Sequence, residues 1–211
     1  MLKVRTRQTR SWSRIALYCA AIGGIALAMH GLWIPVKAQV AQVLLKRAWA
    51  KTQAGVTDVK PWPWADMAPT FQLSIPTLDA RFIVLGSASG EALAFGPGWM
   101  PSTPRPGAPG LSIIAAHRDT HFNVLKEITI GNAIDVTASD GSKLRFEVSD
   151  TQIVDTRTSG LVPNAGEAGL ALVTCWPFDA TQPGPLRFVV TARLVGEGMA
   201  GHPLNAYNKA A

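Results

Sequence analysis

Three stretches of the sequence set reactive side chains where covalent catalysis needs them. Ile113-Ile-Ala-Ala-His117 is an apolar run that empties into an imidazole. Leu170-Ala-Leu-Val-Thr174-Cys175-Trp176-Pro177 is a second run that ends on a thiol, with Pro177 placed to stop the ladder behind it. Pro185-Leu-Arg187-Phe-Val-Val-Thr-Ala-Arg193 is a third, with a guanidinium near its start. Strand ends are where a rigid scaffold presents such groups. A thiolate is a nucleophile, an imidazole moves protons, and a guanidinium holds a carbonyl oxygen or the oxyanion made from it. Period-two alternation puts Arg187 and Arg193 on one face of their strand, and Arg187 lies nearer the cysteine end.

Other residues near these runs have two readings each. His117 and His121 are four apart, and with Cys175 they would make three ligands of zinc type. A helix starting at His117 conflicts with the strand before it, and a closed metal site would block a thiolate. The expectation is therefore catalysis with no metal and no cofactor. Thr174 is expected to support the site through its hydroxyl, the plainer reading being strand propensity. Asp119 is placed to orient His117 or to be a solvated acid, and Arg118 reads as a solvated or loop-packed charge. Trp176 and Phe178 are candidates for the wall of a peptide groove, against ordinary core packing.

The elements that must position these residues read as short strands. Phe71–Ile75 alternates strictly, and Arg81–Leu85, Leu111–Ala115, Ala133–Val136, Lys143–Ser149, Leu170–Thr174 and Leu186–Leu194 are further candidates. Asp140-Gly141 predicts a hairpin. Residues 96–110, with five prolines and four glycines, predict a long loop, and one short helix is expected near Leu93 or over Val124–Glu127. The pattern predicts an all-β barrel or sandwich.

Composition and charge narrow the function class. The chain has 211 residues, of which 47% are hydrophobic and 16% charged, enough to bury a core. Residues 1–60 hold ten Lys/Arg against one acid (Asp58), a balance of +9. Residues 61–211 hold ten Lys/Arg against thirteen acids, a balance of −3. The basicity belongs to the N-terminus, so the high pI does not argue for nucleic acid as a partner.

Residues 1–14 are basic, with Lys3, Arg5, Arg7, Arg10 and Arg14, and residues 15–36 carry no formal charge. A bilayer core of about 30 Å takes about 20 helical residues. The order predicts a signal anchor over 15–36, with 1–14 cytoplasmic and the rest exported. A cleaved signal peptide is the competing reading, but the apolar stretch is long and Lys37 sits against the small residues that follow. Residues 37–69 are expected to be a juxtamembrane helix and linker, 70–198 the catalytic β-domain, and 199–211 a disordered tail. Of two cysteines, Cys19 lies within the expected span, which leaves Cys175 as the lone thiol of the exported part. An unpaired thiol there reads as reactive, against the commoner inert buried cysteine.

Taken together the motifs resemble those of the sortases, membrane-anchored cysteine transpeptidases with an eight-stranded β-barrel and short helices. Ala171-Leu172-Val173-Thr174-Cys175 matches the family's Thr-Leu-x-Thr-Cys except at its first position. The Arg187-Phe-Val-Val strand is similar to the family's Arg-bearing strand, and the segment from Gly110 through His117 to Phe122 is similar to the one that carries its His. His-Arg-Asp-Thr-His-Phe and Val-Thr-Cys-Trp-Pro-Phe-Asp look like the subgroup of Gram-negative, often marine, proteobacteria. The likeness covers about residues 70–196.

The resemblance implies Cys175 as nucleophile, His117 as proton donor and acceptor, and Arg187 as oxyanion holder. It implies an exported protein substrate with an LPXTG-like sorting signal, a thioester acyl-enzyme, and an amine acceptor. It implies a single-pass protein of the inner membrane whose catalytic domain faces the periplasm, with the lipid bilayer as a further partner. Two other readings stay open from the sequence: a tethered β-domain that only binds, and a cysteine peptidase that mainly hydrolyses.

Overall fold

A computed structural model describes residues 6–158 and 166–198. The tail expected over 199–211 lies outside the described residues, as do residues 1–5 of the basic segment. The chain divides into two units, Met1–Gln42 and Val43–Ala211.

The first unit is helical from Thr6 onward, as part of α1 (Thr6–Gln53). The helix covers the stretch expected to span the membrane. Among the described residues no helix is long and apolar enough to cross a membrane. Part of the 15–36 stretch lies outside that description, because the side chains of residues 25, 26 and 28–36 are not described.

In the second unit the end of α1 is set by glycine. Gly55 adopts a φ of +86°, the left-handed conformation that glycine reaches without a Cβ penalty. The Gly55 N–H donates to the Thr52 carbonyl at 3.0 Å and the Val56 N–H to the Lys51 carbonyl at 3.1 Å. That pair of bonds satisfies the last carbonyls of the helix. Leu45, on the last turns of α1, is buried in a cluster with Met67, Leu85 and Ala92, and Trp62 and Phe95 pack against it edge to face at 5.0 Å. Within residues 54–68, Trp62 and Met67 thus tie the second half to the domain, while residues 54–58 are exposed.

Eight strands follow: β1 (Pro69–Ile75), β2 (Ala80–Leu85), β3 (Gly98–Trp99), β4 (Gly110–Ala115), β5 (Ala133–Ala138), β6 (Lys143–Asp155), β7 (Ala168–Cys175) and β8 (Leu186–Gly198). They close into a barrel in the order β1-β2-β3-β4-β7-β8-β6-β5. The pairs β2/β3 and β4/β7 are parallel and the others antiparallel.

All seven expected strands form, most with longer ends, and the eighth is β3. It lies inside the stretch expected to be loop throughout. The expected single helix is two short ones, α2 (Gly90–Leu93) and a 3-10 segment over His121–Glu127. The Asp140-Gly141 hairpin forms with Gly141 at φ +84° and its N–H donated to the Ala138 carbonyl at 3.0 Å.

Alternation sorts the strands into an inside and an outside. Phe71, Leu73, Ile114, Phe146, Leu172 and Val190 meet in the barrel core. On the opposite face of the β4-β7-β8 sheet a smaller apolar cluster forms from Leu111, Ala171 and Val189, with Ile113, Val154 and Val173 against it.

Candidate active site

The site follows from parity and register. On β7, Leu170 and Leu172 point into the core while Ala171 and Val173 join the outer cluster. Cys175, two beyond Val173, therefore shares the outer face. On β8, Val190 and Ala192 are core and Val189 is outer, which places Arg187 on the outer face too. On β4, Ile114 is core while Leu111 and Ile113 are outer.

Register then brings the three residues to one end of the sheet. The antiparallel pairing of β7 and β8 sets Cys175 opposite Arg187. Directly opposed residues have Cβ atoms about 4.5–5.5 Å apart. The parallel pairing of β4 and β7 runs to Ala115 opposite Val173. It is carried past the end of β4 by two bonds. The Ala116 N–H donates to the Val173 carbonyl at 3.1 Å, and the buried Thr174 hydroxyl donates to the Ala116 carbonyl at 2.8 Å. His117 thus follows the last rung of this pairing, at the end of the sheet where β7 finishes on Cys175. The row reads His117, Cys175, Arg187 across three neighbouring strands. Cys175 and Arg187 are half-buried and His117 is exposed.

The Thr174 hydroxyl bonds the backbone next to His117. The other supporting candidates stand elsewhere. Asp119 bonds the Nε of Arg118 at 3.1 Å, with its side chain 69% exposed, and so serves Arg118 in place of His117. His121 opens the 3-10 segment rather than sharing a helix face with His117. Its Nδ1 meets the Thr120 hydroxyl at 3.2 Å and its ring lies edge-on to Phe82. Burial, and then the neighbouring charge of His117, lower the His121 pKa below its ordinary value. Among the described residues no three His, Cys, Asp or Glu side chains gather to hold a metal ion. The Trp176 indole stacks on Phe188 at 5.8 Å and meets Phe178 edge to face, and both of those rings pack on the core. The half-buried Trp176 thus packs on rings that themselves pack on the core.

Of the two sequence readings of Arg118, solvated or loop-packed, the structure shows the second. It is buried, 6% exposed, and its guanidinium donates to the Pro177 carbonyl at 3.0 Å, to the Ala180 carbonyl, and to the Gln182 carbonyl at 3.4 Å. Arg187 is also engaged with this loop: its Nη1 donates to the Gly184 carbonyl at 2.6 Å and the Leu186 carbonyl at 2.9 Å.

A thiol between an imidazole and a guanidinium, at the end of an apolar outer face, can form and resolve an acyl intermediate on an extended peptide. The family model described as "Sortase domain" matches residues 73–195. The chain is 27% identical over 124 residues to "Sortase D" of Bacillus subtilis (strain 168), which covers 58% of this chain and 62% of that protein. Its fold is similar to that of a Clostridium perfringens Sortase D5 transpeptidase (TM-score 0.59, 18% identity, 75% of this chain and 99% of that one). It is similar as well to that of sortase A from Corynebacterium diphtheriae, lid mutant (TM-score 0.57, 22% identity, 75% and 95%).

Proposed function

Because the chain belongs to the sortase family, we propose that it is a cysteine transpeptidase that cuts an LPXTG-like sorting signal and passes the acyl group to an amine. The observation that carries this reading is the row of His117, Cys175 and Arg187 on the outer face of the barrel.

Each residue has a defined part. The Cys175 thiolate attacks the scissile carbonyl carbon, and the carbonyl electron pair moves onto oxygen. Arg187 donates to that oxyanion, which is a larger charge than the ground-state carbonyl bears, so its help is greatest in the transition state. As the oxyanion collapses the C–N bond breaks, and His117 gives its proton to the departing amine. A thioester remains on Cys175. His117, now neutral, takes a proton from the incoming amine as that amine attacks the thioester, and the thiolate leaves. The partly buried Ile113, Val154 and Val173 of the outer cluster run towards this row and suit the Leu-Pro part of such a signal.

The topology is read from the sequence. Residues 15–36 are the inner-membrane anchor of a Gram-negative cell, residues 1–14 are cytoplasmic, and the barrel faces the periplasm. A substrate that carries its own membrane span would then be confined beside the enzyme, which raises its effective concentration.

The test is trapping. The full chain in detergent, given a sorting-signal peptide, should gain the mass of the acyl fragment on Cys175, and Cys175→Ala should gain none. Added amine should turn the hydrolysed product into the amide. A product that ignores the amine would make the protein a hydrolytic peptidase. Full biological activity of Cys175→Ala would leave only a binding domain.

A further inference from the structure

A charged side chain that folding removes from water needs its hydrogen bonds replaced. Arg118 is 6% exposed, and three of its bonds go to backbone carbonyls of one loop, those of Pro177, Ala180 and Gln182. The loop, residues 176–185, joins Cys175 at the end of β7 to β8, whose second residue is Arg187. Within it the Ala180 N–H donates back to the Pro177 carbonyl at 3.3 Å. Its far end holds Arg187 by the carbonyls of Gly184 and Leu186.

A continuous path of bonds therefore joins the two sides of the row. It runs from the residue next to His117, through the Arg118 guanidinium, into the 176–185 loop and on to Arg187. A guanidinium is a planar fork with five donors, whereas a lysine ammonium is a point charge. Only the fork reaches several carbonyls spread along a loop.

Resting on the transpeptidase reading above, we propose that Arg118 is a positioning residue that holds the 176–185 loop so that Arg187 meets the oxyanion formed at Cys175. It touches neither substrate nor thiol. Its effect is to fix where the Arg187 guanidinium stands when charge develops, and so it acts on the transition state more than on substrate binding.

The experiment compares the full chain with Arg118→Lys, which keeps the buried charge, and Arg118→Ala. With a sorting-signal peptide, kcat should fall about 10- to 100-fold in Arg118→Lys, while KM stays within about twofold. Millimolar guanidinium ion should restore part of the rate of Arg118→Ala, and the same concentration of ammonium ion should not. Hydrogen exchange should rise in residues 177–186 and stay unchanged in β1, β2 and β5. The inference is overturned if Arg118→Lys keeps the wild-type kcat, if the loss lies in KM, or if exchange rises across the barrel in step with the lost rate.

Failure of the transpeptidase reading looks different: the wild-type chain itself forms no acyl adduct. Two measurements without peptide then decide the inference. One is hydrogen exchange of the loop, and the other is the rate of Cys175 alkylation by iodoacetamide at fixed pH. Both should differ between wild type and Arg118→Lys, and equality in both would refute the clamp.

Discussion

Thr174 shows how much of the site hangs on single atoms. Its hydroxyl is buried and donates to the Ala116 carbonyl, the last backbone group before His117. Thr174→Val keeps the shape and removes the donor. It should cost about 1–3 kcal/mol of stability by leaving that carbonyl unpaired, read as a lower urea midpoint. It should lower kcat as well, and Thr174→Ser should recover most of both. The thiol and both its companions were legible at this scale, because an apolar run that ends on a Cys or a His is visible without a structure. For Arg118 the loop-packed reading was open in the sequence but its partners were not legible, since the carbonyls it serves lie 59 to 64 residues further on. Backbone acceptors leave no trace in residue types, so no pattern in the sequence could have pointed to them. Asp119 follows the second of its two readings, an exposed acid, with its sequence neighbour Arg118 as partner.

Among the elements, β3 is the one the sequence concealed. Two residues carry no period, and the surrounding prolines and glycines advertise a loop. Yet Gly98 pairs with Leu85 on one side and Ala115 on the other, which closes the barrel between β2 and β4. A Cβ on Gly98 would stand 2.2 Å from the Ser87 carbonyl oxygen, a backbone atom with no freedom to swing away. Gly98→Ala should therefore destabilise the protein by about 1–3 kcal/mol, seen as a lowered Tm, with loss of the ring current that Trp99 imposes on Phe71, 5.9 Å away.

The end of α1 behaves as part of the domain for a similar reason. Leu45 is only 1% exposed because Met67, Leu85 and Ala92 surround it. Leu45→Ala should cost about 2–5 kcal/mol in chemical unfolding. A chain trimmed to start at residue 54 should melt below one that starts at residue 43. The helical period over 37–53 was readable, but which residues would receive its apolar face was not.

For the whole molecule, pH acts through few groups. The folded-state pKa of His121 lies below its ordinary 6.5, through burial first and the His117 charge second. The unfolded chain thus takes up this proton before the folded one does. Its contribution to stability is complete above about pH 6.5 and declines as pH falls through 6.5 towards the folded value. Urea midpoints measured at pH 8 and pH 5 should fall further in the wild type than in His121→Gln, whose side chain does not titrate. A second decline belongs to Asp155, which two bonds from the Arg157 guanidinium hold at about 2. That contribution is present above about pH 3.8 and fades towards pH 2. Arg157 is exposed and Asp155 half-buried, so salt should weaken the pair.

The alternation that sends Leu172 and Val190 inward is the same alternation that turns Cys175 and Arg187 outward. Sliding β7 by one position would bury the sulfur and expose the leucines together. A slip of register cannot keep the apolar interior while misplacing the sulfur, or the reverse. Turnover in a preparation of the wild-type chain should therefore count molecules in register, with each slipped copy contributing nothing instead of a reduced share. Specific activity then becomes a yardstick of how many chains have reached their native pairing.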